Sequence, residues 1–284
     1  MSTFINQATL SYNNITTNSN VVTGQLLEVL SVTKTPLVDT YAAGDMVTYV
    51  VSMVNSGATA LNGLTVTDNL GAYIQGGVTR YPLDYIPGSV RLYINGVLQP
   101  PPAATPEPPL VITGINIPAN GNAVLVYETH VNQYAPLAEG RTIDNTVSVS
   151  GGCLNTPVEA SATVTASSAP LLSISKSICP AVIAACGQVT YTFIIQNSGS
   201  APATAADGVV IRDLFDPILD GLAVTLDGLP WSAGVNYTYD STTGEFATIA
   251  GEITVPAATY TQDISTGLWT TQPGIAVLTV SGTV

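Results

Sequence analysis

The chain holds two lysines, Lys34 and Lys176, and the residues that share their faces could carry out one piece of chemistry. In an extended strand alternate side chains point the same way, which groups Leu30, Val32 and Lys34, and likewise Leu172, Ile174 and Lys176. Leu64, Val66 and Asp68 form such a set, as do Val209, Ile211 and Asp213, and Asn145 goes with Val147 and Val149. Each polar group therefore points where its apolar strand-mates point, into a core. Burial disfavours charge, so it drives an ammonium toward the free amine and a carboxylate toward the acid. A free amine next to an asparagine amide polarised by a protonated carboxyl can form a new amide and release ammonia, with the carboxyl shuttling the proton. Lys34, Asp68 and Asn145 are one candidate set. The second set has Lys176 and Asp213 but no asparagine of its own at that place; Asn6 aligns with Asn145 and shares a face with Ala8 and Leu10. A Lys176–Asn6 bond would join two subunits. The competing reading is a buried or snorkelling lysine–aspartate ion pair hydrogen-bonded to asparagine.

The elements that position these residues are strands. Helical periodicity is absent, and short alternating runs are bounded by Gly, Pro, Asn and Asp, the pattern of an all-β sandwich. The chain also repeats itself. LSVTKT at 30–35 matches LSISKS at 172–177, VTY at 47–49 matches 189–191, and NSG at 55–57 matches 197–199, all at an offset of 142. LTVTD at 64–68 corresponds to VVIRD at 209–213, and INIPA at 115–119 to ITVPA at 253–257. GNAVLVYETHV at 121–131 corresponds to GIAVLTVSGTV at 274–284. The first copy adds NTVSVS at 145–150 and SATVT at 161–165, and the counterparts of these, NQATLS at 6–11 and SNVVT at 19–23, lie at the N-terminus. The expected organisation is donor strands over 1–25, a complete module over 26–168, and a module over 169–284 that lacks its last two strands.

These motifs, with K[TS] closing the first strand, VTY followed by NSG, then TVTD and NTVSV, resemble a repeat domain of prokaryotic surface proteins catalogued as domain of unknown function eleven. The resemblance covers nearly the whole chain. It implies immunoglobulin-like β-sandwiches, two in tandem, used as structural units of surface layers, adhesins and fibres without catalysis. Surface pilins and adhesins with similar sandwiches use lysine–asparagine isopeptide bonds between first and last strands, which matches the placement of Lys34 and Asn145.

A sandwich short of two strands exposes an open edge and an apolar face, both sites for another chain. The N-terminal segment suits that gap, because no residue from Met1 to Leu27 is charged and insertion strands no ion. Phe4, Ile5, Asn6, Ala8, Leu10, Tyr12, Val21 and Val22 are the expected contact residues of the donor, and Ile275, Val277, Thr279 and Ser281 the expected acceptor edge. Contacts of this kind are heterologous and propagate as a filament. The expected partner is therefore the protein itself, with a surface anchor protein beyond it. A monomeric adhesin or surface-layer module is the alternative.

Net charge is −13 with six basic residues, which excludes nucleic acid and anionic membrane as natural partners. No apolar run of about 18 residues is present to cross a bilayer. No basic start followed by an apolar run marks a secretory signal; release by lysis around a spore would still place the protein outside, on a cell or spore surface. Cys153, Cys179 and Cys186 fit no metal spacing; Cys179 and Cys186 could pair, leaving Cys153 for a bond between subunits, or they could be small buried thiols. Asp213, Asp216 and Asp220 match no calcium loop. No cofactor, metal or enzymatic activity is expected, and His130 has no catalytic pattern around it. The proline-rich stretch at 99–109 reads as a stiff surface loop. Trp269 is expected in an exposed hairpin over 258–272, packed on its own module or facing a neighbour or a carbohydrate.

Overall fold

Val, Ile, Thr and Tyr fill the periodic stretches of this sequence and left-handed turns of Gly and Asn separate them, a composition that favours pleated sheet. The computed structural model describes residues 2–26 and 28–284. Over that range the chain is all-β except for one 3-10 turn at Ala205–Asp207.

The first four strands, β1 (Ser2–Asn6), β2 (Thr9–Tyr12), β3 (Ile15–Asn18) and β4 (Val22–Leu26), make a single hairpin ribbon. β1 pairs with β4 and β2 with β3, and among the described residues none of the four pairs with anything else. Its tip is Asn13-Asn14, both at positive φ, the two-residue turn whose twist matches that of its strands.

The first module contributes β5 (Leu30–Pro36), β6 (Met46–Asn55), β7 (Leu61–Asp68), β8 (Leu110–Ile117), β9 (Asn122–Val131), β10 (Thr142–Ser150) and β11 (Val158–Ala166), with shorter edge strands between them. One sheet runs through Arg91–Ile94, β9, β6 and β5; the facing sheet runs β8, β7, β10, β11. Inward positions alternate along each strand, so Val47, Tyr49, Val51 and Met53 of β6 are buried against Leu64 and Val66 of β7. The second module contributes β12 (Leu172–Cys179), β13 (Gln188–Asn197), β14 (Arg212–Leu214), β15 (Asp220–Leu226), β16 (Glu245–Thr248), β17 (Thr259–Gln262), β18 (Trp269–Gln272) and β19 (Gly274–Thr283). Its larger sheet runs β12, β13, β19, β15, and its smaller one runs β14, β16 and Tyr237–Tyr239. The apolar core falls into two clusters, one from Leu30 to Ala166 and one from Val189 to Val280.

The internal repeat has a structural counterpart at its most conspicuous motif. Asn55 and Asn197, the asparagines of the two NSG sequences, are fully buried. Each donates to the carbonyl four residues on, Thr59 at 2.9 Å and Ala201 at 2.8 Å, and to that of Pro118 or Pro256. Each also accepts from the glycine amide of its own motif, Gly57 at 3.0 Å and Gly199 at 2.9 Å. Asparagine is required because a buried amide must offer both donor and acceptor capacity to hold such a loop.

Three expectations are corrected here. Ile275, Val277, Thr279 and Ser281 do not form an acceptor edge, because β19 is central, paired with β13 on one side and β15 on the other. The proline-rich stretch contains a short strand, Ala103–Thr105, paired with β8. The β17–β18 hairpin bridges the modules instead of packing on its own alone: Tyr260 donates to the Ser198 carbonyl at 2.7 Å, while Trp269 donates its backbone N–H to Gln133 at 3.1 Å, Gln262 donates to the Tyr73 hydroxyl at 2.8 Å, and Arg80 donates to the Ser265 carbonyl at 3.3 Å.

Candidate functional site

Lys34 closes the inward face of β5, and Asp68 ends β7 in the facing sheet, so the strand pattern alone brings amine and carboxyl across the core. Both side chains are fully buried and their Nζ–Oδ2 separation is 2.8 Å. Asp68 also accepts the hydroxyl of Tyr127 on the same oxygen and the amide of Leu70 at 2.7 Å on the other. The turn after Asp68 holds Leu70 and Gly71 at positive φ, and this aims two consecutive amides at the site. Gly71 donates to Asn145 Oδ1 at 3.3 Å, and a side chain at Gly71 would strike Ile143. Asn145, one pair along β10 from the Val147–Asp68 register, is fully buried, and its Nδ2 has no hydrogen-bond partner. The Tyr49 ring lies 4.5 Å beneath Lys34 Nζ, and its buried hydroxyl is also without a partner.

Burial holds the Lys34 ammonium down at about 8, outweighing the opposite pull of Asp68. Burial first, then the nearby Asp68 charge, pushes the Tyr127 hydroxyl well above its ordinary value. A lysine with so low a value supplies free amine at neutral to mildly alkaline pH, and the orphaned Nδ2 belongs to the group that would depart as ammonia. The three residues picked out by strand alternation thus lie in one buried cluster. Tyr127 and Tyr49 were not picked out, although both sit at inward positions beside Lys34 and Asp68; a tyrosine in an apolar alternation reads as core.

The second module repeats half of this arrangement. Lys176 on β12 is bonded to Asp213 on β14, but the side chains are 40% and 17% exposed where the first pair is sealed. Tyr191, Phe193 and Phe215 rings lie 4.6, 5.5 and 5.5 Å from Lys176 Nζ. Every residue of β12 is exposed, including Ile174 at 56%, whereas Leu30 and Lys34 on the matching strand β5 are buried. Among the described residues β14 pairs with β16 on one side and with nothing on the other, where in the first module β10 pairs with the equivalent strand β7. A cleft of about 680 Å³ runs along β14 and β16, lined by Asp213, Leu214, Tyr239 and Phe246 among others. β12 and the unpaired side of β14 are thus the exposed parts of this module's sheets among the described residues.

Of the donor residues, Phe4, Ile5, Leu10, Tyr12, Val21 and Val22 are each more than half exposed, and Asn6 and Ala8 are exposed as well. The Phe4 ring lies across Gly24 on the paired strand, where any Cβ would collide with it. Asn6 pairs with Val22, while Asn145 pairs with Ala162, the residue that the repeat places at Asn20. Only one strand of the hairpin can therefore keep the repeat's alignment with β10 and β11.

Cys153, Cys179 and Cys186 are free and exposed, so neither the Cys179–Cys186 pairing nor the buried-thiol reading holds. Cys186 occupies a left-handed turn while Cys179 ends a strand. His130 is half-buried in a cleft that Trp269 also lines.

No protein-family model matches the chain, so domain of unknown function eleven stays a resemblance. No curated protein matches it either. Among solved structures it is similar to the pilus backbone RrgB of Streptococcus pneumoniae, at 11% identity and TM-score 0.36 over 86% of this chain and 55% of that one. It is similar to BcpA, the major pilin subunit of Bacillus cereus, at 10% identity and TM-score 0.36 over 96% of this chain and 73% of that one. It is also similar to the collagen-binding subdomain of the Enterococcus faecalis surface protein ACE, at 8% identity and TM-score 0.32 over 50% of this chain and 99% of that one. At these scores the likeness carries nothing further, and the functional reading below rests on the chain's own geometry.

Proposed function

We propose that the chain is a non-catalytic structural subunit of an extracellular filament on a cell or spore surface, polymerising head to tail by donating its N-terminal hairpin. Residues 2–26 of one subunit fill the place beside β14 and over β12 of the next, as β10 and β11 do beside β7 and over β5 in the first module. One observation supports this reading: the same protein presents a hairpin ribbon that pairs only with itself among the described residues and, in its second module, a fully exposed β12 beside a β14 paired on one side alone. Main-chain pairing along β14 would supply affinity, and covering Leu172, Ile174 and Ile178 would add about 0.5–1.5 kcal/mol each, since each is only partly in water now. In this reading the first module is braced by a Lys34–Asn145 amide, and the joint between subunits is sealed by Lys176 and Asn6. Of the two faces open to the adhesin alternative, a loop or Trp269, the second lies against the first module.

Negative-stain microscopy of the full chain beside a variant deleted for residues 2–24 tests the proposal. Filaments from the full chain and soluble monomers from the deletion are expected. Filaments from both, or from neither, would refute it.

A further inference from the structure

Two related sites within a single chain differ in the cover over the lysine, and the second also lacks an asparagine of its own and the Tyr127 hydroxyl, whose repeat position is Val280. Lys34 and Asp68 have no exposed side-chain surface, while Lys176 and Asp213 are partly in water. The second site is otherwise built: the carboxyl is in contact, and the Tyr191, Phe193 and Phe215 rings wall it on the inner side. What it lacks is the outer wall, which β10 and β11 supply in the first module.

We infer that Lys176 and Asp213 form half of a crosslinking site, held inactive by water in the free subunit, which the hairpin of a second copy completes and activates in one step. Bond formation then follows insertion and cannot precede it. This rests on the filament reading above and adds an order of events to it. Water keeps an exposed lysine as ammonium, which has no lone pair to attack with. Once covered, the pair meets the conditions that already act on Lys34, whose amine burial holds at about 8. The ammonium proton passes to Asp213, leaving amine and acid. The Nζ–Cγ bond to Asn6 then forms and the Cγ–Nδ2 bond breaks. One Nζ proton reaches the leaving nitrogen through Asp213, and ammonia departs.

Coupling the reaction to coverage has a consequence for assembly. A hairpin seated in the wrong register leaves Lys176 uncovered, and it can withdraw. Only a correct fit is sealed.

The two lysines make the test direct. Subunits of the full chain, kept dilute, are reductively dimethylated, which blocks amide formation while retaining the charge. Lys176 is expected to be modified and Lys34 spared. On concentration, microscopy scores filaments and boiling in detergent scores covalent ladders. Untreated subunits should give filaments first and ladders later, with peptide mapping joining Lys176 to the 2–26 segment. Dimethylated subunits and the variant Lys176→Arg should give filaments that dissolve on boiling. Asp213→Ala should slow laddering by about a hundredfold while filaments still form. Untreated filaments that dissolve on boiling, or ladders that appear before filaments or persist in Lys176→Arg, would overturn the inference alone. Failure of untreated subunits to make filaments would take the filament reading with it.

Discussion

At the scale of single residues the buried cluster around Lys34 makes a prediction about pH. The folded value of about 8 lies below the roughly 10.4 of an unfolded lysine, so between the two the unfolded chain binds more protons and stability rises with pH. Above about 10 the sign reverses, because the unfolded chain loses tyrosine protons that Tyr127 retains when folded. In Asn145→Ala, where no amide can form, the first module should gain about 1 kcal/mol between pH 8 and pH 10, the Lys34 rise being partly offset by the raised Tyr41, Tyr49 and Tyr127 hydroxyls, and lose stability beyond it, as read from urea midpoints. The parent chain, with Lys34 consumed in an amide, should lack the rise, and its intact mass should fall short of the sequence by one ammonia. Identical profiles and an undiminished mass would leave the ion pair as the correct description. Tyr127→Phe removes one donor from Asp68 without opening a cavity, and should lower stability by about 1–3 kcal/mol in thermal unfolding. No measurable change there would mean that the hydroxyl bond contributes nothing net.

At the scale of strands the exposed face of β12 is the feature to perturb. Ile174 is 56% exposed, so Ile174→Asp costs the free subunit little, yet it would set a charge under an inserted hairpin. Folding by circular dichroism should be unchanged and filaments should be absent; filaments at the parent level would move the docking surface elsewhere. How much of this was legible beforehand depends on the residue. Period-two alternation placed Lys34, Asp68 and Asn145 correctly, because in a two-layer sandwich each face has one destination. The repeat marked residues 6–11 and 19–23 as strands, since copied segments fold alike, and the N-terminal segment does form a hairpin ribbon. The acceptor edge was misread as β19 because it is the last strand in sequence, and chain order does not give spatial order: β15 returns to pair with it. Trp269 was assigned to the wrong module for a related reason. A hairpin's pattern shows its own pairing and leaves open the surface it lies on. Cys179 and Cys186 looked close enough to pair in sequence, yet both remain exposed thiols, because where each side chain points is set by local backbone geometry.

At the scale of the whole molecule, two features decide how a subunit behaves in a fibre. The first is the joint between its modules. Trp269 and Gln262 tie the β17–β18 hairpin to Gln133 and Tyr73, Arg80 of the first module donates to Ser265 in the hairpin, and Trp269→Ala would remove the largest side chain in that seam. Interfaces between modules allow motion unless they are large and apolar, so this variant should unfold in two calorimetric steps where the parent unfolds in one, with each module's own fold intact. An unchanged single transition would show that the hairpin does not couple the modules. The second feature is charge. Each subunit carries −13, none of it within the hairpin, so approaching subunits repel while the inserting segment itself meets no ion. Repulsion between like-charged bodies slows encounter and is screened over about 10 Å at 0.1 M salt, whereas strand pairing and apolar burial are short-ranged and barely screened. Filament growth should therefore speed up by roughly tenfold between about 0.01 and 0.15 M salt, while filaments already formed should not come apart when the salt is removed. Growth that slows with salt would point to attraction between opposite charges as the driving contact, and the uncharged hairpin could not then be what makes it.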